Sequence, residues 1–218
     1  LRSLPSLRSR PQRLTLTGSA ALSGLSLAAI SVGTGLGAFG FSHMFVMVLI
    51  MTVTPVHMES SGHDLTAVGA VLSAHYVGMF ALAPIAGLFA DRFGKPRAIW
   101  TGFAILVLAA LSVAVVPAQS GFTLAVPLFM VGLGWSFAFV SASALLTEGM
   151  SYADRARVQG SADTAVCTFS AAASVASGLL LAAYGYSTLN LAAGALAAAT
   201  ALMLAGRPRP ADKLSSPP

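Results

Sequence analysis

Charge is what this sequence has least of. Asp, Glu, Lys and Arg make up 9% of its 218 residues, against about 25% in ordinary soluble domains. A deficit of that size excludes a surface turned everywhere to water. With 56% hydrophobic residues, the expected solvent is lipid. Cysteine occurs once, as Cys167 in an apolar run, which excludes a disulfide framework or a paired-cysteine metal site. Basic residues are never interleaved with aromatics in a patch. The net charge of +5 therefore does not point to nucleic acid. No Ser–His or paired-Asp arrangement suggests an enzyme, and Ser177 in "VASG" is a lone match in an Ala/Ser-rich run. Neither a cofactor nor a bound metal is expected. The first apolar run is too long for a signal peptide and leads into no soluble domain.

What is present is a series of long apolar runs. A helix needs about 20 mostly apolar residues to cross a bilayer. Leu65–Ala90, Ala98–Val116, Phe122–Thr147, Val158–Tyr184 and Ser187–Gly206 have that character. The run Leu14–Val56 is too long for one crossing, since it would reach roughly 63 Å at about 1.5 Å per residue. It holds either one span, Thr34–Val56, with a lead-in, or two spans joined near "GTGLG". Basic loops prefer the cytoplasmic side. With one span, all 12 Lys and Arg fall on one side: Arg2, Arg8, Arg10, Arg13, then Arg92, Lys95, Arg97, then Arg155, Arg157, then Arg207, Arg209, Lys213. The other side receives "HMESSGHD", "PAQSG" and "YGY", with none. Two spans would carry the four N-terminal arginines across, so one span is the preferred reading. The expectation is an all-α, six-helix domain over residues 17–206, with a lead-in at 17–33. A basic segment at 1–16 and a Pro/Arg-rich tail at 207–218 would both be cytoplasmic. Pro84 and Pro127 within spans permit kinks, but plain helix packing is the preferred reading of that texture. Small residues in "SAAASVASG" and "LAAGALAAAT" predict close helix packing.

Between the second and third spans the chain reads "GLFADRFGKPR", with Asp91, Arg92, Lys95 and Arg97 in seven positions. Gly87 and Gly94 suit close approach and a left-handed turn. The spacing G-x-x-x-D-R-x-G-K, carried by Gly87, Asp91, Arg92, Gly94 and Lys95, resembles the loop signature of the major facilitator superfamily of secondary transporters. In that family the signature stands between helices 2 and 3, with a weaker copy between helices 8 and 9. The resemblance covers residues 34–206, and residues 14–33 fit it less well. It implies one half of a twelve-helix transporter, built as two three-helix inverted repeats. The fourth span lacks Arg and the fifth lacks Pro, where the family's amino-terminal half often has them. "MTVTPVHM", "GLGWSF" and "LLTE" are similar to the carboxy-terminal half of bacterial members. The first residue is Leu, which reads as a fragment or a processed chain. The partners so implied are the lipid bilayer of the cell membrane, an absent amino-terminal six-helix half and a small-molecule solute. In the family such a loop works against the opposite half.

Ionisable groups inside a membrane are costly and are candidates for function. His43 lies about 14 Å into the first span and His75 about 15 Å into the second, at 1.5 Å per residue. Both reach the midplane of a core about 30 Å thick. A neutral His is cheaper to bury than a carboxylate and titrates near physiological pH, which suits proton coupling. The plain alternative is a structural His bonded to backbone or a hydroxyl. Asp163, about 8 Å into the fifth span, is either a proton or cation site or a helix-start acid favoured by the dipole. Glu148, facing Asp154, Arg155 and Arg157, is a candidate cytoplasmic gate. Trp135, with Gly132 and Gly134, is either an aromatic patch on a cavity wall or a packed or lipid-facing ring. Met44, Met47 and Met51 form a stripe that fits a core better than a soft-metal path. The expected function is transport by alternating access, coupled to protons. The competing expectation is a six-helix membrane module, or a truncated product, without transport activity.

Overall fold

Six helices long and apolar enough to cross a membrane follow one another in a computed structural model that describes residues 42–115 and 121–205. They are α1 (Ser42–Ser60), α2 (Leu65–Phe93), α3 (Lys95–Val115), α4 (Ala125–Leu146), α5 (Tyr152–Tyr184) and α6 (Tyr186–Ala205). No strand occurs among the described residues. The expected all-α, six-span architecture is what the chain adopts. The basic segment at 1–16, the lead-in at 17–33, the "GTGLG" joint and the tail at 207–218 lie outside the described residues.

Local chemistry sets the helix ends. Asp64 caps α2, its carboxylate accepting from Ala67 N–H at 2.9 Å. Ser151 caps α5, accepting from Asp154 N–H at 3.3 Å and donating to the Asp154 carboxylate at 2.6 Å. Gly94 ends α2 with φ +92° and Gly185 ends α5 with φ +77°, values that L side chains resist. The connections are therefore shorter than the charge pattern suggests. Asp91 and Arg92 belong to α2, Lys95 and Arg97 to the first turn of α3, and the turn between them is Gly94 alone. Likewise "YGY" shrinks to Gly185, with Tyr184 closing α5 and Tyr186 opening α6.

The two prolines act differently from each other. Ahead of Pro84, α2 widens into a π-helical stretch, Val77–Ala81. The Leu82 carbonyl then accepts from both Ile85 and Ala86. Pro127 is the third residue of α4. Its missing N–H would have had no intrahelical partner there, so it causes no break.

The helices pack as antiparallel neighbours, and side-chain bonds fix which ends meet. Lys95 bonds Glu148 at one end, and Thr54 bonds Tyr186 at the other. Ser42 donates to Thr200 at 2.7 Å, because the Thr200 hydroxyl hydrogen already goes to the Leu196 carbonyl. Arg92, Lys95, Arg97, Arg155 and Arg157 all fall at the Lys95–Glu148 end. The core runs through α1, α3, α4 and α6, with Ile50, Val53, Phe103, Leu106, Val113, Leu128 and Val131 fully buried. Met44 and Met47 are buried in that core and Met51 packs against it.

α4 is the centre of the packing because it has no side chain at two successive contacts. A Cβ on Gly132 would overlap the His75 carbonyl oxygen of α2, and one on Gly78 would overlap the Phe129 carbonyl oxygen of α4. On another side of α4, a Cβ on Gly102 would lie 2.6 Å from the Gly134 oxygen, and one on Gly134 would lie 2.8 Å from the Gly102 oxygen. Backbone meets backbone at both seams, which maximises dispersion contact where lipid supplies no hydrophobic drive. Gly87, by contrast, has nothing within 4 Å of an added Cβ, so it makes no close approach here.

Replacing Gly78 or Gly132 by Val should therefore destabilise the protein by at least the cost of ordinary overpacking, about 1–3 kcal/mol. Gly69→Ala, at an open position on the same helix α2, should instead stabilise by about 0.5–1 kcal/mol. Thermal unfolding in detergent checks both, and equal melting temperatures for the Gly132 variant and the parent would contradict the seam.

Candidate functional site

His75 sits ten residues into α2, about 15 Å along its axis. It is fully buried against α4. Its Nδ1 lies 3.0 Å from the Leu128 carbonyl oxygen. A carbonyl only accepts, so Nδ1 carries the hydrogen, and in the neutral ring Nε2 is the acceptor. Nε2 is buried with no partner among the described residues. The Leu128 carbonyl is one turn before Gly132, so the ring bond and the backbone contact act on the same stretch of α4.

His43 is the second described residue of α1, about 26 Å from the Ser60 end. It is buried against Phe103 of α3, with ring centroids 4.8 Å apart. Neither ring nitrogen has a partner among the described residues. The structure does not bring His43 and His75 together: one lies against α3, the other against α4.

Trp135 projects from α4 towards α2. Its ring stacks on Phe139 at 4.6 Å and meets Phe80 edge-on at 5.9 Å. Its companions Gly132 and Gly134 form the two helix seams rather than part of the aromatic patch.

At the basic end, the Lys95 ammonium lies 2.8 Å from Glu148 Oε1. Glu148 therefore pairs with the signature loop, not with the facing Arg155 and Arg157. Arg155 instead donates to the Met150 carbonyl at 3.1 Å. The pair ties the start of α3 to the turn after α4. It is partly exposed, and such pairs contribute about 0.2–1 kcal/mol. Arg92 lies over the Phe93 ring at 5.8 Å, and Arg97 donates to the Phe93 carbonyl at 3.4 Å. Asp91 is exposed and makes no ion pair among the described residues. Asp163 is the twelfth residue of α5, exposed, and accepts from Gln159 Nε2 at 2.8 Å. The helix begins at Tyr152 rather than Val158, so Asp163 is beyond the first turn where a dipole would favour it.

Sequence reasoning missed a polar cluster at the opposite end. The Thr54 hydroxyl donates to the Ile50 carbonyl at 2.7 Å, so Tyr186 Oη must donate to Thr54 at 2.9 Å. The His57 ring lies flat on Tyr186, with centroids 3.8 Å apart and planes 8° from parallel. Asn190 donates to the Tyr186 carbonyl at 2.8 Å, and its side-chain oxygen is buried without a partner among the described residues. The available signal was an uncharged polar residue inside each of two spans. Hydropathy averages such residues away.

Among the described residues no group of three or more His, Cys, Asp or Glu side chains could hold a metal ion.

Comparison with known proteins gives this geometry a family. Residues 35–218 match the family model described as the Major Facilitator Superfamily. Two Bacillus subtilis proteins named as uncharacterized MFS-type transporters, YdeG and YddS, are 38% and 35% identical over 147 residues. The match covers 67% of this chain and 34% of each of them. The riboflavin transporter RfnT of Brucella anthropi is 30% identical over 144 residues, 65% of this chain and 35% of its own. The chain thus matches about a third of the length of these curated relatives. It is a multi-pass helical membrane protein, and it belongs to the major facilitator superfamily.

Proposed function

We propose that the chain is the carboxy-terminal half of a secondary transporter that moves a small solute by alternating access. One observation carries this reading. α2 and α5 bury only 28% and 11% of their membrane-crossing windows, against 50–56% in α1, α3 and α4. The described surface of α5 exposes many small residues, Gly160, Ser161, Thr164, Ala165, Ala171, Ala172, Ser174 and Gly178, along with the larger Phe169, Val175 and Leu179. Small residues suit close approach by another helix more than contact with lipid tails. An absent amino-terminal six-helix half would supply that helix, and the short match to the relatives' length supports the same idea. The protein then resides in the cell membrane with both termini in the cytoplasm, following the one-sided placement of Lys and Arg.

In this reading the solute path runs beside α2 and α4 at mid-depth, where His75 and Trp135 lie. His75 is the proton-handling candidate. With Nδ1 held on the Leu128 carbonyl, a proton can arrive only at Nε2, turning a buried acceptor into a buried cation. Such a group demands a counter-charge or water, so protonation would press α2 away from α4 or recruit a new partner. The π-helical stretch two residues further on is where α2 can yield. His43 and Asp163 remain weaker candidates for the path. The loop of Gly87, Asp91, Arg92, Gly94, Lys95 and Arg97 would stabilise one conformation, with Glu148 as its gate partner. The relative named for riboflavin suggests small organic molecules as cargo.

Two experiments on the full-length protein test this. His75→Ala, with folding checked by thermal unfolding, should lower proton-driven flux by about 5- to 150-fold, the size of ordinary ligand coupling. It should also alter the pH dependence. Unchanged flux and pH profile would remove His75 from the path. Glu148→Lys should slow transport by up to about fivefold, the most that a partly exposed ion pair can bias a conformational equilibrium. Adding Lys95→Glu should restore the rate. A double variant as slow as the single one would show that the pair is not the gate contact.

A further inference from the structure

Four rings run along the seam between α2 and α4. Tyr76 and Phe80 are parallel to within 13°, with centroids 6.4 Å apart. Phe80 meets Trp135 edge-on at 5.9 Å, and Trp135 stacks on Phe139 at 4.6 Å with planes 11° from parallel. The glycine seam makes this line possible. Phe80 follows Gly78 by two residues and Trp135 follows Gly132 by three, so backbone contact at the glycines brings the rings together. The line is open along its α2 edge, where Phe80 is 60% exposed.

Depth makes the tryptophan unusual. Trp135 is the eleventh residue of the 22-residue α4, about 15 Å from either end. Tryptophan in membrane proteins collects at the headgroup boundary, where its N–H finds a wet partner. Here the indole nitrogen is buried with no acceptor among the described residues. Leaving such a donor unpaired in a buried site is unfavourable. A lipid tail offers a ring nothing but dispersion, and offers the N–H no acceptor at all. A flat unsaturated ring bearing a nitrogen or oxygen acceptor satisfies both needs.

We infer that this seam seats a planar heteroaromatic solute, its face on Phe80 and its acceptor on Trp135 Nε1. Phe80, exposed and edge-on to the indole, is the side chain that turns to admit it. The inference rests on the proposed solute path at mid-depth and narrows its cargo to one chemical class. It assigns Phe80, which the sequence did not single out, as the specificity-determining residue.

The test uses the full-length protein in nanodiscs. Trp135 emission is taken as the difference between the parent and Trp135→Phe. The probes are lumazine, adenine and quinolinate, three flat rings of different charge and edge, and brominated phosphatidylcholine. At least one flat probe should quench Trp135 saturably, and the brominated lipid should not. Phe80→Ala should weaken that binding by about 3- to 10-fold, the worth of one aromatic contact, while Phe80→Tyr should hold it within about twofold. Quenching by the brominated lipid, or no saturable quenching by any flat probe, overturns the inference. Solute flux measured on the same preparation separates the two claims. Probe binding without any transport would leave the ring seat standing and sink the transporter reading. Transport without probe binding would do the reverse.

Discussion

The rest of the described fold hangs on backbone touching backbone at α4. Gly132 and Gly134 are two positions apart, so they point in different directions around the helix. One receives α2 and the other receives α3. Inside a bilayer the usual force that joins helices, expulsion of water from apolar surface, is absent, and association depends on contact area and hydrogen bonds. A pair of glycine seams therefore does what a layer of leucines does in a soluble bundle. The consequences spread outward from there. His75 can reach the Leu128 carbonyl at 3.0 Å because α2 lies so close. Phe80 can touch Trp135 for the same reason. Lys95 can bond Glu148 because α3 is held against α4 along its length.

Much of this was legible in the sequence, and what was legible had a clear physical signal. Six apolar runs became six helices. Gly94 took the positive φ that its place in "DRFGK" implied. The five described basic residues, Arg92, Lys95, Arg97, Arg155 and Arg157, collected at one end of the bundle. Boundaries were less legible, because charged residues were read as loop when they are helix. Asp91, Arg92, Lys95 and Arg97 sit at helix ends, where an ammonium or guanidinium can leave the membrane without breaking backbone hydrogen bonds. Pro84 was read as a place where a kink is permitted, and its effect, a π-helical stretch seven to three residues before it, depends on how α2 must fit α4. Pro127 looked the same in sequence and does nothing similar, since only its distance from the helix start differs.

The candidate site was legible as a list of residues and not as a geometry. His43 and His75 both looked like isolated histidines deep in a span, with His75 the stronger candidate. The structure separates them: His75 is fixed by a defined bond on one nitrogen, whereas His43 is packed against Phe103 with neither nitrogen paired among the described residues. Glu148 was matched to the arginines nearest in sequence and pairs instead with Lys95, 53 residues away. Long-range pairing of this kind leaves no local pattern. The Thr54–Tyr186 bond, across 132 residues, is the same case at the other end.

Hydrogen-bond accounting connects these observations. Most hydroxyls in the spans spend their hydrogen on their own helix: Thr101 on Arg97, Ser112 on Leu108, Thr164 on Gly160, Thr168 on Thr164 and Thr200 on Leu196. A hydroxyl so bonded costs little in lipid and carries no message. Among the described residues, the buried groups that escape this rule are His43, His75 Nε2, Trp135 Nε1, Ser136, Ser141 and the Asn190 oxygen. Three of these six residues, Trp135, Ser136 and Ser141, are on α4, and a fourth, His75, is bonded to it. Unpaired polar atoms are expensive in a membrane. Their concentration on the helix that organises the packing means that α4 carries both backbone seams and half of these residues. A proton or a solute that satisfied His75, Trp135, Ser136 or Ser141 would act directly on the helix to which α2 and α3 are both seamed. Coupling between a bound molecule and the arrangement of the helices then needs no separate relay.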